Sequence, residues 1–240
     1  MGRGLRRAAR GFAPWPWTAA FARSAPAARA AWLLALAAAC GSEPGGAASA
    51  PPPATAPAPA VAQAEPGPGS PVVLVAYYTQ TGMTRKMAEA VAEGARERAG
   101  RVILAPIDSV TAEDLRSADA ILLGSPTHWG NMATAMRGFI DSWTELGVSV
   151  RDRIGGAFAT GGGSAGGKEM VMTSMILAMM NHGMIVVGPL FREGEFEYGN
   201  FGAAATTGLA SSPSIPPADL DAARALGRRA AETAGRLRRD

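Results

Sequence analysis

From Val72 onward, short continuous apolar runs alternate with longer stretches patterned at helical period, and this alternation narrows the possible folds more than any other feature of the chain. Val72-Val73-Leu74-Val75-Ala76-Tyr77-Tyr78 is β-branched and aromatic throughout, as a parallel strand buried on both faces requires. Between residues 85 and 98, Met87, Ala88, Val91, Ala92 and Ala95 fall on one helical face. Residues 102–106 and 120–124 read as a second and a third strand. A helix follows with Met132, Met136, Phe139, Ile140 and Trp143 on one stripe. Residues 154–159 read as a fourth strand, 168–180 as a helix and 184–188 as a fifth strand. A last helix starts near Pro217, a favourable first-turn residue, and runs to Leu237 with Leu220, Ala223, Leu226, Ala230 and Leu237 expected to face in. This pattern predicts an α/β domain with a five-stranded parallel sheet and helices on both faces. The expected strand order is 2-1-3-4-5, with a ligand past the strand C-termini where the order reverses. The loops after strands one, three and four meet at that point.

Residues 71–240 are the size of one ordinary domain, long enough to bury roughly two-thirds of the unfolded surface. The chain of 240 residues has a formal net charge of +3, but residues 1–40 hold six arginines and no acid. The remainder carries 17 basic and 20 acidic residues, so the basic balance belongs to the leader and no nucleic-acid partner is implied.

Residues 1–40 read as a signal peptide: an arginine-rich start, then an apolar run from Ala30 to Ala39 that is too short for the roughly 20 residues of a membrane-spanning helix. Cys40, the only cysteine, follows three alanines, and this resembles a bacterial lipobox. Ala37 stands where leucine is usual, and Leu36 lies one place early. The resemblance implies lipidation at Cys40 and a membrane-anchored protein on the periplasmic side; an ordinary cleaved signal, or a cytoplasmic protein with a later start, is the alternative. Arg6-Arg7 is a poor match to a twin-arginine signal. Residues 41–70, almost wholly Ala, Pro, Gly and Ser, read as a disordered tether with too little apolar bulk to offset ordering.

Thr79-Gln80-Thr81-Gly82-Met83-Thr84 follows the first strand and leads into a helix. Backbone N–H groups at a helix start, alternating hydroxyls and a glycine suit a phosphate, although a plain capped turn has the same composition. Neither a Walker loop nor the spaced glycines of a dinucleotide fold is present. This loop resembles the FMN-phosphate loop of flavodoxins. Gly124-Ser125-Pro126-Thr127-His128-Trp129-Gly130-Asn131-Met132 resembles the isoalloxazine loop of WrbA-type NAD(P)H:quinone oxidoreductases. Thr160-Gly161-Gly162-Gly163-Ser164-Ala165-Gly166-Gly167-Lys168-Glu169 resembles that family's third flavin loop, and His182-Gly183-Met184 its His-Gly-Met sequence.

The resemblance covers residues 72–237 and implies a flavodoxin-like fold, FMN as cofactor, NADH or NADPH as co-substrate, a quinone acceptor and a homo-oligomer. It implies cofactor contacts from Thr79 to Thr84, from Pro126 to Met132, at Thr160, Gly161, Gly162, Gly163, Ser164, Gly166 and Gly167, and at His182. A glycine-rich loop aiming N–H groups at the pyrimidine edge stabilises a reduced flavin. Trp129 either lies against the ring or packs in a core or interface. His182 is either a flavin neighbour or a helix C-terminal residue. His128 stands where the family more often has arginine. No Ser/His/Asp set and no metal cluster is apparent, so the cofactor carries the chemistry. A one-electron carrier fits the phosphate loop equally well, and a flavin-free binding module is a third reading. Residues 189–217 form a long stretch expected to lack regular structure yet rich in Phe191, Phe196, Tyr198 and Phe201, bordering a substrate pocket or folded on the domain's own core.

Overall fold

The computed structural model describes residues 69–193, 196–208 and 211–238; the leader, Cys40 and nearly all of the tether lie outside them. The chain forms β1 (Val72–Tyr77), α1 (Met83–Arg96), β2 (Arg101–Pro106), a 3₁₀ turn, α2 (Ala112–Ser117), β3 (Ala120–His128), β4 (Asn131–Met132) and α3 (Thr134–Glu145). It continues with β5 (Ile154–Gly161), α4 (Lys168–Asn181), β6 (Ile185–Val186), β7 (Leu190–Glu193), β8 (Phe196–Gly199), β9 (Ala203–Thr206) and α5 (Pro217–Leu237).

β1 is buried along its whole length because both of its neighbours and both faces are covered. It pairs in parallel with β2 and β3, Val73 lying opposite Val102 and Ala120, and β5 pairs in parallel with the far side of β3. Val73, Val75 and Tyr77 pack with Leu122, Phe158 and the inner faces of α1 and α5. Leu74 and Ala76 point the other way, to Ile121, Leu123, Leu115 of α2, Met136 and Trp143 of α3, and Met175 of α4. The two-sided burial is why the strand is wholly apolar up to Tyr77 at its end, each large side chain contributing about 1.5–3 kcal/mol on leaving water. On the first face, α1 and α5 cross backbone to backbone: a Cβ on Gly94 would overlap Arg224, and one on Gly227 would overlap Val91.

The order β2-β1-β3-β5 is the expected flavodoxin-like one, but two strands fill the fifth place. β6 covers Ile154 and Gly155 at one end of β5, and β9 covers Phe158 to Gly161 at the other, both in parallel. Pro189, which has no N–H for a ladder, ends the first piece, and the chain leaves the sheet as the β7–β8 hairpin before returning at Gly202. The stretch 189–217 is therefore not without regular structure: it holds a hairpin and a sheet strand. Met132 likewise belongs to β4 and not to the helix stripe, because β3 turns back on itself before α3 begins at Thr134.

Candidate functional site: three loops at the strand C-termini

The C-terminal ends of β1, β3 and β5 lie in register, Tyr77 opposite Gly124 and Pro126 opposite Thr160, so their loops open on one edge of the sheet. In the first loop, Thr79 Oγ1 accepts the Gly82 N–H at 3.0 Å. Gly82 adopts the left-handed conformation (φ 83°), turning the chain abruptly into α1. No side chain caps α1 and no acid stands in its first turn. Its first N–H groups are left for an anion, with open space where a Cβ would sit at Gly82. Gln80 and Thr81 are exposed. Thr84 is 1% exposed, and its hydroxyl lies 2.8 Å from that of Thr160, linking the first loop to the third.

The second loop is a tight hairpin between β3 and β4, with Thr127 opposite Met132 and His128 opposite Asn131. Trp129 (φ 52°) and Gly130 (φ 80°) are its two central residues, both left-handed, as the mirror-image turn of a two-residue hairpin demands. Such a φ is costly for a tryptophan, and the side chain is fully exposed at 101%. The His128 ring donates through Nε2 to Gln80 Oε1 at 3.1 Å and meets the edge of Tyr78 at 6.2 Å between centroids, joining loops one and two. Buried Ser125 accepts the Ala133 N–H at 2.9 Å and donates to the Pro126 carbonyl, fixing the exit into α3. The Thr127 Oγ1 is buried and has no hydrogen-bond partner among the described residues.

The third loop curls from Thr160 to Gly167 and opens α4. Gly167 is left-handed (φ 87°), and a Cβ there would stand 2.8 Å from the Gly130 Cα, so loops two and three touch through glycine backbone. Lys168, only 4% exposed, folds back and donates to the carbonyls of Gly163 at 2.9 Å and Ser164 at 3.0 Å. Gly162, Gly163 and Ser164 remain exposed. A fourth segment closes the edge: the Thr207 N–H donates to the Gly161 carbonyl at 2.9 Å, and Ser214 N–H donates to Thr207 O at 3.0 Å.

Thr79 to Thr84, Pro126 to Met132 and Thr160 to Gly167 thus meet as expected. His182 does not join them within this chain. It terminates α4, whose other end is the third loop, and 14 residues at about 1.5 Å each put roughly 20 Å between the two ends. Its ring packs against Trp143 at 5.2 Å. Tyr78, Ser125, Lys168 and Thr207 belong to the site's framework; Ser125 and Lys168 stand within the stretches that carry the resemblance, but none of the four was given a role from the sequence. Lys168 was legible as the one cation after the glycine run; Thr207 follows a strand that the sequence hid. A cavity of about 450 Å³ opens beside the first loop, lined by Tyr77, Tyr78, Thr79, Ile107, Ala135 and Phe139. Burial pushes the pKa of the Tyr77 hydroxyl up. Among the described residues no group of His, Cys, Asp or Glu is placed to hold a metal.

An uncapped helix start beside hydroxyls suits a terminal phosphate. A buried, unpartnered Thr127 hydroxyl between two glycine-lined loops suits a polar planar ring. Those two features are what an FMN site needs, and the chain's relatives agree with it. The family described as NADPH-dependent FMN reductase matches residues 108–196. An NAD(P)H dehydrogenase (quinone) of Geotalea uraniireducens is 34% identical over 201 residues, covering 70% of this chain and 99% of that protein. A flavodoxin of Aquifex aeolicus is 39% identical over 162 residues, covering 67% of this chain and 85% of that protein. Among solved structures, a WrbA-like flavodoxin from Agrobacterium tumefaciens superposes with a TM-score of 0.56 at 27% identity, over 69% of this chain and 98% of its own. With fold, loop order and relatives in accord, the chain belongs to the flavodoxin-like family of NAD(P)H dehydrogenases (quinone).

Proposed function

We propose that this protein binds FMN and uses it to pass two electrons from NADH or NADPH to a quinone. The observation that carries the reading is the meeting of three loops around an uncapped α1 start and the unpartnered Thr127 hydroxyl. Bound FMN supplies the centre that takes electrons from the nicotinamide and gives them to the acceptor. The chain does the holding. The first N–H groups of α1, with the Thr79 and Thr81 hydroxyls, hold the terminal phosphate. The exposed backbone at Gly162, Gly163 and Ser164 would turn N–H groups to the pyrimidine edge, and Trp129 would offer a flat surface at the rim of the ring. A one-electron carrier is the second reading, favoured by the similarity to the Aquifex flavodoxin.

Self-association is part of the proposal. α4 exposes Met170, Leu177 and Met180, and no charged residue occurs from Met170 to Phe191, an outer surface suited to another copy of the chain. Such an assembly would offer His182 a partner's site in place of its own. The anchor at Cys40 and export to the periplasmic side are proposed from the leader alone; no helix among the described residues is long and apolar enough to cross a membrane.

Cofactor identity tests this reading. Protein purified from its native host should be yellow and release FMN on heating, as judged by mass. Release of FAD, or a colourless protein that takes up no FMN, would overturn it.

A further inference from the structure

Lys168 is the only charged side chain fully buried among the described residues. Its ammonium forms no ion pair there, and its two hydrogen bonds both go to carbonyls of the glycine-rich loop. Taking an ammonium out of water without a carboxylate is costly, and two neutral acceptors do not neutralise it. If its task were only to close the loop, an uncharged donor would do that with a smaller desolvation penalty. The position is also central: the Lys168 stem passes under Gly161, where a Cβ would stand 3.0 Å from Lys168 Cγ and 3.3 Å from the unpartnered Thr127 Oγ1. The Lys168 stem and the unpartnered Thr127 hydroxyl thus both lie against Gly161. The ammonium, a cation without a counterion among the described residues, is held directly beneath the carbonyls of the third loop, where added negative charge would be stabilised.

We propose that Lys168 sets the redox balance of the site, its buried ammonium stabilising the negative charge that arrives when the bound cofactor is reduced. This rests on the FMN reading above. Two electrons and one proton added to FMN leave the ring system with one net negative charge, and a cation fixed in a water-poor wall favours that form without reorganising. Lys168 is on this account a positioning and tuning residue, acting through its field as well as through the loop it ties.

The dissociation constants of oxidised and reduced FMN, measured separately, test the proposal. Lys168→Gln keeps a donor for the Gly163 and Ser164 carbonyls but removes the charge. It should leave the affinity for oxidised FMN nearly unchanged and weaken that for reduced FMN about tenfold, which lowers the two-electron midpoint potential by about 30 mV. Lys168→Arg should restore the ratio. Ser164→Asp, at an exposed position beside the ammonium, should lower the ratio in the same direction and serves if Lys168→Gln does not fold. Equal losses for both oxidation states, or an unchanged ratio, would overturn the proposal and leave Lys168 a loop anchor. Wild-type protein that binds no FMN in either state would instead sink the FMN reading on which it stands.

Discussion

Thr81 and Thr84 look equivalent in the loop sequence, yet the fold gives them different work. Thr81 is exposed at the mouth of the first loop, whereas the Thr84 hydroxyl is buried against Thr160. Of the two protons in that hydroxyl pair, one is spent between them. Thr81→Ala should therefore weaken FMN by roughly tenfold or more, the worth of a hydrogen bond to a charged phosphate at about 1.5–3 kcal/mol. Thr84→Ala should cost the apoprotein about 1 kcal/mol as well, by breaking the link between loops one and three. Fluorescence titration with FMN and denaturant unfolding of the apoprotein separate the two effects. Equal behaviour of both variants in both assays would contradict the assignment. The hydroxyls of this loop were legible in the sequence, but which of them turns inward was not, because it depends on a residue 76 positions away.

At the scale of elements, β1, β3 and β5 were readable because burial on both faces leaves an unbroken apolar run. The fifth strand was only half readable. Met184 to Gly188 advertises a strand, but Pro189 ends it, and Ala203 to Thr206, which completes that place in the sheet, has too little side chain to advertise anything. α2 was missed for a different reason: at six residues it is too short to show a period, and its capping box, Thr111 with Asp114, is its only local signal. The α1–α5 pair adds a test that the sequence could not supply. Arg228 donates two hydrogen bonds to Glu97, and these hold the Glu97 carboxyl below its ordinary value of 4.5. A carboxylate with a lowered folded pKa contributes stability that is present above pH 4.5 and is lost as the pH falls through the folded value. The pair is solvent-exposed, so the contribution should be small and screened by salt. Melting temperatures of wild type and Glu97→Gln should differ slightly near neutral pH and converge in acid. A difference that grows in acid would contradict this.

At the scale of the whole molecule, residues 41–240 carry a slightly acidic balance, whereas residues 1–40 are basic and residues 41–70 are almost wholly Ala, Pro, Gly and Ser. Fold, loop order and cofactor chemistry were all legible in residues 72–237, because motif and alternation point to the same edge of the same sheet. His182 was the exception: a local motif cannot tell which end of a helix a site occupies. For the proposed anchor, fractionation of the native host should find the full-length protein with membranes, and Cys40→Ala should release it or block its processing. A soluble cytoplasmic protein with an unmodified terminus would contradict export and would favour direct use of cytoplasmic NAD(P)H. The most direct test of the central claim is steady-state oxidation of NADH and NADPH by the FMN-loaded protein with menadione as acceptor. Sustained turnover that depends on both nicotinamide and quinone is the predicted result; FMN-loaded protein that fails to turn over with either nicotinamide would contradict it and leave the carrier reading in its place.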